Sequence, residues 1–89
     1  MIYIVSYEPG NPERDGAALR AALETCGIVN AFQRRVWLVD SAMTAPQIRD
    51  ELKPSLDVED SVFVSALHLQ SWAGWRTRLS AWIAEHRQK

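Results

Sequence analysis

The sequence predicts an α+β domain of two layers, a mostly antiparallel sheet carrying helices on one face. Three observations lead there. Apolar runs of strand length stand at 2–7, 36–39 and 61–67, amphipathic stretches of helical period separate them, and the chain has only 89 residues. Two independent cores would each fall near the lower size limit for folding alone, so residues 1–89 read as a single domain.

Ile2-Tyr3-Ile4-Val5-Ser6-Tyr7 is β-branched and aromatic without interruption and stops at Pro9-Gly10-Asn11-Pro12, a central strand followed by a surface loop. Asp15 then precedes Ala17 to Cys26, where Leu19, Ala22, Leu23 and Cys26 share one helical face. Asp15 reads as the N-cap and Gly27 as a left-handed C-cap. Extended character returns from Ile28 to Asp40, with Val36-Trp37-Leu38-Val39 the stronger strand and Ile28 to Gln33 a shorter partner. Thr44-Ala45-Pro46-Gln47 has the form of a capping box, and Ile48 and Leu52 mark the buried stripe of the helix it opens. Pro54 ends or kinks that helix, because proline cannot donate the interior hydrogen bond. Asp57 to Asp60 forms an acidic turn before the last strong strand, Ser61 to Leu67. The first and last long strands are the most apolar and are expected at the centre of the sheet. Ser71-Trp72-Ala73-Gly74-Trp75 breaks the pattern, and Leu79, Trp82, Ile83 and His86 mark a terminal helix over 76–88.

Composition narrows the function classes. With 47% hydrophobic residues, four Pro and four Gly, the chain is not of disordered type. A single cysteine, Cys26, excludes an internal disulfide framework and fits a reducing compartment. No apolar run approaches the roughly 18 residues needed to cross a bilayer, and Met1-Ile2-Tyr3-Ile4-Val5 lacks the basic n-region of a signal peptide. A cytoplasmic protein without membrane association is expected. Ten basic residues against eleven acidic ones give a net charge of −1, so the strongly basic domain that most simply signals nucleic-acid binding is absent.

The chain carries no Gly-rich phosphate loop, nucleophile elbow or dinucleotide fingerprint. His68 and His86, with only Cys26 as a thiolate, do not compose a zinc site. Glu8 is a carboxylate at a strand end before a Pro-Gly loop, a solvated residue or a metal ligand. Asp57, Glu59 and Asp60 lack the Gly and the alternation of a calcium loop and read as a solvated turn. Arg34 and Arg35 would point to opposite faces of a strand, but from a hairpin tip both reach one phosphate. Arg76 and Arg78 stand near the start of the terminal helix, an end that favours anions. Trp72 and Trp75 beside them either stack bases or pin that helix to the sheet.

Taken together, Ile4-Val5-Ser6-Tyr7-Glu8, Gln33-Arg34-Arg35-Val36-Trp37 and Asp60-Ser61-Val62-Phe63-Val64 resemble the small CRISPR-associated "Cas two" proteins. Trp37-Leu38-Val39, Asp60 to Val64 and Trp72-Ala73-Gly74-Trp75 are closer to their SinR-like relatives, and the likeness covers about residues 1–75. The resemblance implies a ferredoxin-like sandwich (βαββαβ-type) with an additional C-terminal helix, a homodimer, and a place in antiviral defence. In some members it also implies a divalent-metal-dependent endonuclease, the acidic residue ending the first strand of each protomer holding Mg²⁺. That catalytic and metal-binding position is Glu8 here. Glu stands where the family has Asp, its extra methylene displaces the carboxylate, and Mg²⁺ is strict about octahedral geometry. Arg34-Arg35 also replaces the family's Ser.

The expected function is therefore a nucleic-acid-associated binding or scaffolding homodimer that requires no cofactor. It would contact DNA or RNA through Arg34, Arg35, Arg76, Arg78, Trp72 and Trp75. The alternative is a non-enzymatic module that docks a protein partner, such as a toxin–antitoxin or phage-encoded regulator.

Overall fold

In the computed structural model, which describes residues 1–87, β1 (Ile2–Glu8) is the strand around which the others are arranged. It pairs antiparallel with β3 (Val36–Ser41) on one side and with β4 (Ser61–Ala66) on the other. β2 (Gly27–Gln33) pairs antiparallel with the far side of β3, giving the order β2-β3-β1-β4. The fold is a small α+β domain with a four-stranded antiparallel sheet and three helices among the described residues. Val5 lies opposite Trp37 on one neighbour and Val64 on the other.

β4 is an edge strand, not the central one its apolarity predicts. Val62 and Val64 pack toward the core while Phe63, on the other face, is 67% exposed. The run counts as apolar, but on the face away from Val62 and Val64 the strand presents Phe63 between Ser61 and Ser65.

Alternation along β1 divides the core in two. Tyr3, Val5 and Tyr7, with Trp37 and Val39 of β3, pack against Leu19 and Leu23 of α1 (Ala17–Glu24) and Ile48 and Leu52 of α2 (Ala45–Leu52). Ile2 and Leu38 face the other way and meet Ile83 of α3 (Leu79–His86), with Ile4, Phe32, Leu79 and Trp82 around them. The expected arrangement, all helices on one face, is thus corrected: α3 lies across the second face. It is also tied there at its end, where His86 Nδ1 sits 2.9 Å from Asp40 Oδ2 and the Trp82 ring stacks on the imidazole.

Local chemistry sets the element ends. Thr44 and Gln47 form the predicted capping box, the Thr44 hydroxyl accepting the Gln47 N–H and the Gln47 amide oxygen accepting the Thr44 N–H at 2.8 Å. Pro54 falls in the 3-10 turn Lys53–Ser55 that closes α2. The N-cap of α1 is Gly16, at φ 80°, rather than Asp15, whose carboxylate accepts the Ala17 N–H at 2.9 Å from one position earlier. Gly27 is no C-cap; it opens β2 opposite Ser41, where an added Cβ would lie 2.0 Å from the Asp40 carbonyl oxygen. α3 starts at Leu79 and not at 76, because Arg76 and Arg78 take left-handed backbone angles (φ 61° and 56°) that no helix continues through. The last predicted helical residue, Gln88, lies outside the described residues. No described helix is long and apolar enough to cross a membrane.

Candidate functional site

β1 ends at Glu8, opposite Ser61 of β4, at the end of the sheet where the β2–β3 hairpin also turns. Glu8 is exposed. Among the described residues no three His, Cys, Asp or Glu side chains come together as a metal ion would need. Glu8 is thus a lone carboxylate in the single chain, and Mg²⁺ is commonly held by one or two carboxylates together with waters and substrate phosphates.

Arg34 and Arg35 do form the tip of the hairpin, and Arg35 is engaged within the chain. The Arg35 guanidinium donates to the carbonyl oxygen of Pro12 at 2.6 Å, and its own carbonyl accepts the Tyr7 N–H at 2.9 Å. Arg35 therefore straps the loop after β1 to the hairpin. Arg34 is exposed beside it.

The two tryptophans belong to the segment that joins β4 to α3 and lie beside Phe32 and Gln33 of β2 and the start of α3. Trp75 is 79% exposed and Trp72 38% exposed, so neither is the helix-pinning anchor; Trp82 has that role. The Arg76 guanidinium lies over the Trp75 ring at 4.4 Å, and that of Arg87 over the Trp72 ring at 5.4 Å. With Phe32, Gln33 and Leu79 these tryptophans line an open groove of about 250 Å³. Arg78 is exposed at the entry to α3. Arg87 was not legible as part of this group: it is distant in sequence from Trp72, and only the lie of α3 brings them together.

Sequence reasoning also missed a buried polar cluster at the loop end. Asp60 is not solvated; its side chain is 1% exposed and pairs with Arg14, which also holds Asp57 at 2.9 Å. The Asp57 and Gly10 N–H groups donate to the Asp60 carboxylate, each at 2.8 Å. Those two backbone donors, with Arg14 beside them, hold its pKa below the ordinary carboxylate value. Burial pushes the neighbouring Tyr7 hydroxyl the other way, above its ordinary value. Both oxygens of the Asp60 carboxylate are engaged with Arg14 or backbone N–H groups, which makes the cluster a fastening for the loop.

The chain matches no family model, no curated protein and no solved structure. Two aromatic planes, each covered by a guanidinium, stand beside an open groove at one end of the sheet, while two acidic groups at the loop end are matched by Arg14.

Proposed function

We propose that the chain is a ferredoxin-like binding protein, related to the CRISPR-associated "Cas two" and SinR-like proteins, that holds single-stranded nucleic acid at the Trp72–Trp75 segment and works in the cytoplasm as a homodimer. The observation that carries the reading is Trp75, 79% exposed with the Arg76 guanidinium 4.4 Å from its ring centre. An indole left in water contributes little to the core, but it offers a stacking plane for a base. The adjacent cation attracts the phosphate. Trp72 and Arg87 repeat the pairing. The strand order β2-β3-β1-β4, with a helix in each of two β-α-β halves, supports the ferredoxin-like sandwich. Glu8 has no part in this function, and metal-dependent cleavage is not proposed.

Titration of 15-nucleotide oligo(dT) and oligo(rU) at two salt concentrations, read by tryptophan quenching and by anisotropy, tests it. Binding should weaken about 5- to 150-fold in Trp75→Ala, the equivalent of losing one stacked base. Arg76→Ala should flatten the slope of log affinity against log salt by about 0.7. Glu8→Ala should change nothing. Binding indifferent to Trp75→Ala, or none at low salt, overturns the reading.

A second reading, docking of a protein partner, is favoured by the net charge of −1 and by the exposed Phe63 on an edge strand. A partner retained by the wild type and lost with Phe63→Lys, in a chain that binds no oligonucleotide, would establish it.

A further inference from the structure

The two edges of the sheet are unlike. β2 carries a register irregularity between Asn30 and Gln33, the kind of interruption that keeps an edge from pairing with another strand. β4 is regular and carries no charged residue between Asp60 and His68, although Arg49 of α2 lines a groove beside Val62, Phe63 and Val64. Its sequence, Ser61-Val62-Phe63-Val64-Ser65, reads the same in both directions about Phe63. An antiparallel pair of strands related by a two-fold axis brings residue i of one copy against residue j of the other and j against i. A palindrome satisfies that condition with like against like: Phe63 meets Phe63, valine meets valine and serine meets serine.

The backbone fits the same centre. The Leu67 N–H donates to the Ile2 carbonyl, so at 67, and by alternation at 65, 63 and 61, the N–H and C=O groups point toward β1. Those of Val62 and Val64 therefore point outward from the sheet. A two-fold axis at Phe63 makes Phe63 a non-hydrogen-bonded pair and places Val62 of each copy opposite Val64 of the other in hydrogen-bonded pairs. The outward groups are the ones that this register uses. Non-hydrogen-bonded pairs bring side chains closest, and Phe63, 67% exposed, is the side chain placed there.

We infer that β4 is the homodimer interface, pairing antiparallel with β4 of a second copy about Phe63 to make one continuous eight-stranded sheet. This rests on the homodimer of the proposed function and specifies its contact. It also separates the two Glu8 carboxylates: three strand spacings across and four residues along put them roughly 20 Å apart. A metal site shared across this axis is thereby excluded.

The test uses the full chain. Sedimentation should show a species of twice the 10.1 kDa chain mass, and Phe63→Lys, which sets two like charges face to face, should weaken association roughly tenfold or more without loss of folding. Phe63→Cys should cross-link the dimer on mild oxidation, because Cβ atoms of such a pair stand about 4.5–5.5 Å apart, close to disulfide reach. Ser65→Cys should not, its copies being about 14 Å apart along the strands. Wild type, whose Cys26 is buried, serves as the control. A dimer unaffected by Phe63→Lys and linked no better by Phe63→Cys than by Ser65→Cys overturns the β4 pairing and leaves the dimer standing. A monomer at high micromolar concentration overturns both, and the oligonucleotide titration stands apart from either result.

Discussion

Arg14 and Asp60 lie 46 positions apart in the chain, and their side chains meet at the loop end of the sheet with Asp60 almost wholly buried. Asp57 shares the guanidinium and Arg35 fastens the same loop from the hairpin side. The segment between β1 and α1, which carries Pro9, Gly10 and Pro12, is thereby held from two directions.

Acid should loosen that fastening. The folded pKa of Asp60 is depressed below the ordinary 3.8. The stability it contributes is present above that value and is lost as pH falls through the depressed one. Urea midpoints measured at pH 7, 4, 3 and 2 should fall in the wild type below about pH 4. Asp60→Asn should start lower at pH 7 and fall less. Equal falls in the two proteins would show that Asp60 is not what acid releases.

Gly27→Ala should be among the most damaging single-atom additions. The new Cβ would sit 2.0 Å from the Asp40 carbonyl oxygen, and that oxygen belongs to backbone in a strand, with no side chain to swing away. A cost of about 3 kcal/mol or more is expected, at the upper end for forced overpacking. Denaturant unfolding of the purified variant measures it, and a change under 1 kcal/mol would contradict the close approach of β2 and β3.

The second face of the sheet separates packing from binding. Ile83, 2% exposed between Ile2 and Leu38, should cost about 2–5 kcal/mol on truncation to Ala. Trp82→Ala should cost about 2 kcal/mol, less than a fully buried Trp because its ring is half-covered. Trp75→Ala should leave stability within about 0.5 kcal/mol. Thermal melts of the three rank them directly, and a large loss in Trp75→Ala would make its ring structural.

Thr44→Ala removes one half of the capping box and should cost about 1 kcal/mol. Gln47→Ala should cost less, since the Gln47 N–H would still be met by the Thr44 hydroxyl. Two denaturant curves decide the order.

Local rules carried most of the fold. The capping box, the proline that ends α2, the four strands and the order of elements all follow from a few neighbouring residues. What was not legible depended on residues far apart. Gly27 has the place of a C-cap in the sequence, and only the approach of Asp40 shows why it must be glycine. Asp60 looked solvated because its neighbours are acidic, while the arginine that neutralises it comes from the first loop. The apolarity of β4 pointed to the centre of the sheet because hydrophobic count does not tell a strand buried on two faces from one that keeps an aromatic on an open edge. At the candidate site, the pairing of Trp75 with Arg76 was within reach of sequence reasoning, since they are adjacent. The pairing of Trp72 with Arg87 needed the path of α3.

The irregularity in β2 has a consequence for how far assembly can go. A sheet with two competent edges offers a template for further strands at both rims, the route by which fibrils grow. Here one edge is spoiled by the shift between Asn30 and Gln33 while the other remains regular. Once β4 is occupied by a second β4, both outer rims of the joined sheet are β2 strands, and growth stops at two chains. Straightening β2, by deleting a residue between Asn30 and Gln33, would remove that terminator.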